Sequence, residues 1–262
     1  MTERAEGSTQ GVPGADAAAT ANWTRRSLLA ALGAAGLARA AGEPLVVLID
    51  SVVQMPQARI QGSEVVDGLQ HDIALEIGRR VGRTVRFRIV PRRRVGPLLL
   101  AGDAADMICT YRPAWLSEPL GWSRPFIEDG ELLVTAQRQR APQRLQDVAG
   151  QRIGTIAGFE YANVAAELGA GFLRDDSPNL ESLLRKLALA RVDHAIVGRS
   201  SFEYLQRRGE VPLPLHPPLV LARWRASCAL SPRATLPLSG LDAALAAMQT
   251  DGTLTRIVDR YR

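Results

Sequence analysis

The chain has 262 residues, 46% of them hydrophobic and 23% charged, with a net charge of +5. That profile belongs to an ordinary folded protein and excludes wholesale disorder, while the length allows one large domain or two modest ones. Aromatic residues make up only 5%, so the core must rest on Leu, Val, Ile and Ala; Lys186 is the only lysine, a compositional bias towards Arg.

Residues 1–40 read as an export segment. Thr24-Arg25-Arg26-Ser27 precedes an apolar run from Leu28 to Leu37 and the small-x-small triplet Ala38-Arg39-Ala40. A charged patch, a short apolar stretch and an Ala-x-Ala site in that order make a cleavable signal, and the paired arginines resemble the twin-arginine class. The run is shorter than the ~20 apolar residues of a membrane span. With it removed, 222 residues with a net charge of +4 remain. The expectation is a periplasmic or otherwise exported protein that is monomeric and not integral to the membrane. No basic stripe interleaved with aromatics argues for nucleic acid.

Pro44–Ile49 is a continuous apolar run ended by Asp50, the mark of a strand buried on both faces. Leu69, Ile73, Ile77 and Val81 then recur at steps of four and predict a helix closed by Gly82. Residues 85–90 alternate as a second strand, 97–101 form a short helix stopped by Gly102, and 106–110 are a third strand. Strand–helix alternation implies a mainly parallel sheet with right-handed crossovers. The pattern then restarts. Strands are expected over 132–135, 152–156 and 192–197, and helices over 145–150, 161–168, 180–190 and 200–207. A final strand over 226–230 and helices over 240–248 and 253–260 close the chain. Two such series suggest two small α/β lobes with a ligand cleft between them.

Cys109 and Cys228 lie 119 residues apart, each beside an apolar run. A disulfide and a pair of buried free thiols are both open readings. No Cys/His cluster has metal-ligand spacing, and no Walker loop or Gly-x-Ser-x-Gly elbow is present, so no metal, cofactor or catalytic residue is assigned.

Six segments, in order, resemble the family 3 periplasmic solute-binding proteins, the receptors of polar amino acid ABC transporters. They are Val66–Ile73, Leu98–Asp106, Trp122–Phe126, Leu145–Gly158, Leu187–Asp193 and Asp251–Leu254. The resemblance implies an α/β, two-lobed type II periplasmic binding fold with two crossover strands. It divides the chain into the export signal (1–40), a first part of lobe one (41–130), lobe two (131–222) and a second part of lobe one (223–262). It also implies a small-molecule ligand held by hinge closure, and an inner-membrane ABC permease as partner.

Two departures bear on the ligand. Where the family places an arginine for an α-carboxylate, this chain has Leu116; where it places an aspartate for an amine, this chain has Gly198. An ordinary L-α-amino acid is therefore not expected. A small polar, anionic metabolite is, on the strength of Arg112 and Arg199, which follow strand ends where open α/β sheets bind ligands; solvated surface arginines are the alternative. Tyr111 and Trp115 are candidates for an aromatic wall or for core packing, and Asp50 for a cleft or a turn-capping residue. Gly158-Phe159-Glu160 is expected to open a helix whose free amides hold an anion. Arg92-Arg93-Arg94 reads as a solvated face. Two other functions stand beside the receptor: an enzyme similar to cyclohexadienyl dehydratases, with Glu160 or Asp50 as acid or base, and a sensor or accessory protein of a periplasmic oxidation system.

Overall fold

A computed structural model of the chain describes residues 42–261 apart from Asp103, so the segment expected to direct export lies outside the described residues. Strand β1 (Gly42–Asp50) leads through a short hairpin, β2 (Arg59–Gln61) and β3 (Glu64–Asp67), into helix α1 (Leu69–Val81). Then come β4 (Arg83–Val90), α2 (Val95–Ala101), β5 (Met107–Tyr111), the two-residue β6 (Gly121–Trp122) and β7 (Ile127–Thr135). β8 (Arg152–Ile156), α3 (Ala162–Leu168), β9 (Leu173–Ser177), α4 (Leu180–Ala188), β10 (His194–Gly198) and α5 (Arg199–Arg207) follow. The long β11 (Leu219–Leu230) and helices α6 (Leu238–Thr250) and α7 (Thr253–Arg260) complete the chain.

The main ladder runs β4-β1-β5-β11-β7-β10-β8-β9, with β6 on β11. β4, β1 and β5 are mutually parallel at one end, and β10, β8 and β9 at the other. Between them β7 and β11 pair antiparallel from Leu133–Leu219 to Ile127–Ala226 and belong to both halves. The result is a two-lobed α/β fold whose lobes are joined by two crossover strands.

Each lobe buries both faces of its sheet, and period-two alternation sorts the side chains. On β1, Leu45 and Val47 join the core under α1, α6 and α7, while Leu48 faces the core under α2. On β10, Ala195 and Val197 pack with Leu183 and Leu187 of α4, and Ile196 packs the other way with Ile153 and Val164. This is why these strands read as unbroken apolar runs. Helix α1 ends at a left-handed Gly82, which accommodates φ 71° at no steric cost.

Three differences from the sequence reading have physical reasons. The expected strand over 226–230 is the inner half of β11, whose outer half alternates Arg223 and Arg225 with apolar residues along an exposed crossover. The helix expected over 145–150 is one 3-10 turn, Leu145–Val148, held by a capping box between Arg144 and Asp147. The β2–β3 hairpin and the edge strand β9 were not expected, because short or outward-facing strands carry too few buried side chains to signal.

Cys109 and Cys228 form a disulfide between adjacent strands β5 and β11, with Cα atoms 3.9 Å apart, and both residues are fully buried. Of the two open readings, the structure selects the bridge. It fastens a crossover strand to the first lobe beside the cleft. No helix among the described residues is long and apolar enough to cross a membrane.

Candidate functional site

The carboxyl ends of parallel strands from both lobes converge on one cleft of about 980 Å³, its open mouth included. Asp50 ends β1, Thr110 and Tyr111 end β5, Ile156 ends β8, and Val197 and Gly198 end β10; all six line it. The crossover strands add Asp129, Glu131 and Trp224. Open α/β sheets place ligands at such ends because helix starts and loops converge there.

On the first-lobe wall the Asp50 carboxylate is buried and accepts from Arg92 Nη1 and Tyr111 Oη, each at 3.3 Å. Burial, with Asp50 adding to it, raises the pKa of the Tyr111 hydroxyl, which stays protonated as a donor. The Arg92 guanidinium also stands 4.2 Å from the Phe159 ring centroid in the second lobe and between 5 and 6 Å from Tyr111 and Trp115. It is therefore an interlobe tie as well as a counter-ion.

A second tie is a directed chain of hydrogen bonds. Gln70 Nε2 donates to Thr110 Oγ1 (2.7 Å), which donates to Gln57 Oε1 (3.0 Å). Gln57 Nε2 then crosses to Ser200 Oγ (3.1 Å), which donates to Asp129 Oδ2 (3.0 Å). Thr110 holds φ 59°, an outlier for a β-branched residue, and its hydroxyl is fixed from both sides. Strain of that kind, of order 1–3 kcal/mol, persists only where the surroundings over-determine the geometry.

The floor is acidic. Asp129 accepts from the backbone of Gly130 and from both the amide and the hydroxyl of Ser200, capping α5 with no ion pair among the described residues, although Arg199 lies within electrostatic reach. Burial raises its pKa. Burial, with the positive field of Arg112 opposing it and the negative field of Asp129 adding to it, also raises the pKa of the Glu131 carboxyl, and no hydrogen bond from the described residues reaches that carboxylate. On the far wall Tyr161 accepts the Ile156 amide at 3.0 Å, and burial raises its pKa to about 12.

Of the nine residues singled out from sequence, Asp50, Tyr111, Trp115, Phe159 and Gly198 line the cleft; Arg112, Gly158, Glu160 and Arg199 do not. Arg112 is outside the lining, its guanidinium 4.8 Å from the Trp224 centroid and within electrostatic reach of Glu131. Arg199 is spent on Glu203 at 2.6 Å, one turn along α5. Gly158-Phe159-Glu160 does not open a helix: Gly158 makes a turn at φ 80°, Glu160 is exposed, and α3 begins only at Ala162. Arg92 departs from its two neighbours by turning into the cleft, whereas Arg93 and Arg94 are exposed. Leu116, where the resemblance looked for an arginine, packs against the first-lobe core.

Sequence reasoning missed Gln57, Gln70, Thr110, Asp129, Glu131, Ser200 and Trp224. One signal was available: Glu128-Asp129-Gly130-Glu131 places charges where an apolar crossover strand should continue.

No protein-family model matches the chain, and no curated protein is similar to it in sequence. Solved structures do superpose on it. A histidine kinase sensor domain similar to periplasmic binding proteins gives a TM-score of 0.70 at 19% identity, over 83% of this chain and 95% of that one. An ancestral arginine-binding protein bound to arginine gives 0.67 at 19% identity, over 84% and 98%. An ancestral amino acid-binding protein, a precursor of cyclohexadienyl dehydratase, gives 0.68 at 15% identity, over 84% and 95%. The chain has the type II periplasmic binding fold. In this fold the cleft described above lies between the lobes, and β7 and β11 are the strands that join them.

Proposed function

We propose that the protein is a solute-binding receptor that captures a small polar molecule between its lobes and presents the closed form to a membrane partner, an inner-membrane ABC permease. The observation that carries this reading is the pair of ties across the cleft, Gln57–Ser200 and Arg92–Phe159, which hold both walls around one shared volume. Closure of this kind desolvates ligand groups inside a frame of fixed donors and acceptors. The Cys109–Cys228 bridge supports an exported, periplasmic location, since such bonds persist in oxidising compartments.

The anionic ligand expected from sequence draws little support from the lining. Arg112 and Arg199 stand outside it, and Arg92 is already matched by Asp50. A melting-temperature screen of amino acids, amines and organic acids tests the receptor reading, because binding to the folded state adds RT ln(1 + [L]/Kd). A stabilising solute should also compact the protein in solution scattering. If none does either, the reading fails.

A second reading, an eliminating enzyme, is favoured by one observation. Asp129 and Glu131 are cleft carboxyls with raised pKa, as a general acid requires. Turnover of prephenate or arogenate would select it over the receptor.

A further inference from the structure

The charged groups lining the cleft are Asp50, Arg92, Asp129 and Glu131. Asp50 and Arg92 neutralise each other, so the hinge carboxylates leave the lining with a formal excess of two negative charges, set against Arg112 and Arg199, which lie outside the lining but within electrostatic reach of Glu131 and Asp129 respectively. A third acceptor stands with them: Gln70, only 3% exposed, has its Oε1 buried with no donor among the described residues, while its Nε2 is spent on Thr110.

Register places these groups together. Asp129 and Glu131 are two residues apart on β7 and so share a face. Trp224 lies directly across the ladder from Asp129, and Gly198 directly across from Glu131 on the other side. Gly198 has nothing within 4 Å of where a Cβ would stand, so the space beside the Glu131 carboxylate is open. Trp224, Trp115 and Tyr161 supply aromatic surface to the same volume. A cavity floored by carboxylates favours a cation through direct charge; the rings add apolar walls, since guanidinium groups of the chain already stand over them, Arg112 at Trp224 and Trp115, Arg92 at Trp115 and Arg174 at Tyr161.

We propose that the ligand is a small amine or guanidine without a carboxylate group, its cation seated against Glu131 and Asp129 in the space beside Gly198, with Gln70 Oε1 accepting a further N–H. The inference rests on the receptor reading and names its substrate class. It disfavours a zwitterion because the one lining cation among the described residues, Arg92, is held by Asp50, which leaves the unpaired Trp224 indole N–H as a neutral donor to any ligand acceptor. Burial raises the pKa of both hinge carboxyls, an unfavourable state that a cation placed beside them relieves.

The test uses putrescine and agmatine against L-arginine, L-glutamate and glutarate, read by calorimetric titration and melting temperature on the exported form of the chain. Agmatine or putrescine should bind, arginine no more tightly than agmatine, and glutarate not at all. Glu131→Gln should weaken amine binding about tenfold or more without lowering the ligand-free melting temperature, since a buried charge is removed and no hydrogen bond among the described residues is lost. Asp129→Asn, which keeps an acceptor for Ser200, should weaken it similarly. Arginine binding tenfold tighter than agmatine, or an unaltered amine Kd in Glu131→Gln, would overturn the inference. Stabilisation by glutarate or glutamate alone would overturn it and leave the receptor standing; silence of every solute would overturn both.

Discussion

Ser200→Ala separates what closes the lobes from what holds one lobe together. The Ser200 hydroxyl makes two bonds of different kinds: it accepts from Gln57 of the first lobe at 3.1 Å and donates to Asp129 on the hinge strand at 3.0 Å. Only the first is lost when the lobes part, because Asp129 stays beside α5 through its bond to the Ser200 amide. The closure-specific share is one neutral hydrogen bond, about 1 kcal/mol, hence about a fivefold shift from closed to open. Ligand affinity should fall by the same factor, as binding draws on the competent fraction. Gln57→Ala should cost about as much, and the double variant little more than either, giving a coupling energy of about 1 kcal/mol. The assay is calorimetric titration of any stabilising solute, paired with an interlobe distance from spin labels. Strict additivity, or wild-type affinity and distance in Ser200→Ala, would show that the chain from Gln70 to Asp129 takes no part in closure.

Three other outcomes are expected. Reducing or replacing the Cys109–Cys228 bridge should lower stability by about 5 kcal/mol on the chain-entropy scale for a 119-residue separation, seen as a melting temperature that falls with reductant. Gly68→Ala should cost roughly 3 kcal/mol in chemical denaturation, because Gly68 has φ 118° and a Cβ there would stand 2.5 Å from the Ala58 Cα. Glu76 is held at a pKa of about 2, below its ordinary 4.5, by hydrogen bonds from Arg79 first and then Arg80. A depressed carboxyl contributes stability above pH 4.5 that is lost as pH falls from there to about 2, so Glu76→Gln should flatten that acid limb of a stability profile.

The elements legible in the sequence are those with buried faces. β1 and α1 appear as an apolar run and a four-step stripe because Leu45, Val47, Ile73 and Ile77 are all inaccessible to solvent or nearly so. The outer half of β11 escaped notice because Arg223 and Arg225 face outwards and their partners are on β7, nearly a hundred residues earlier. The site divides on the same line. Asp50 and Tyr111 end strands and were readable from position alone, whereas Arg92 looks in sequence no different from Arg93 and Arg94. What singles it out is Asp50 on one side and Phe159 on the other, contacts 42 and 67 residues away along the chain.

The cleft carries Asp129 and Glu131 on a strand that joins the lobes rather than on its rims. That strand, β7, belongs to both lobes, so in the proposed receptor their positions should change little if the lobes move apart. A cation bound there in the open state would already be paired before closure. The rim groups, Gln57, Ser200, Arg92 and Phe159, meet only when the walls approach. In the proposed receptor, capture and closure thus draw on different residues. Substitutions at Glu131 should change which solutes bind, and substitutions at Gln57 or Ser200 how completely the lobes shut on them. A Glu131→Gln chain that still closes on a neutral solute, beside a Ser200→Ala chain with unaltered selectivity and weaker affinity, is the pattern this division requires. Loss of selectivity in Ser200→Ala would show instead that the two tasks share one set of contacts.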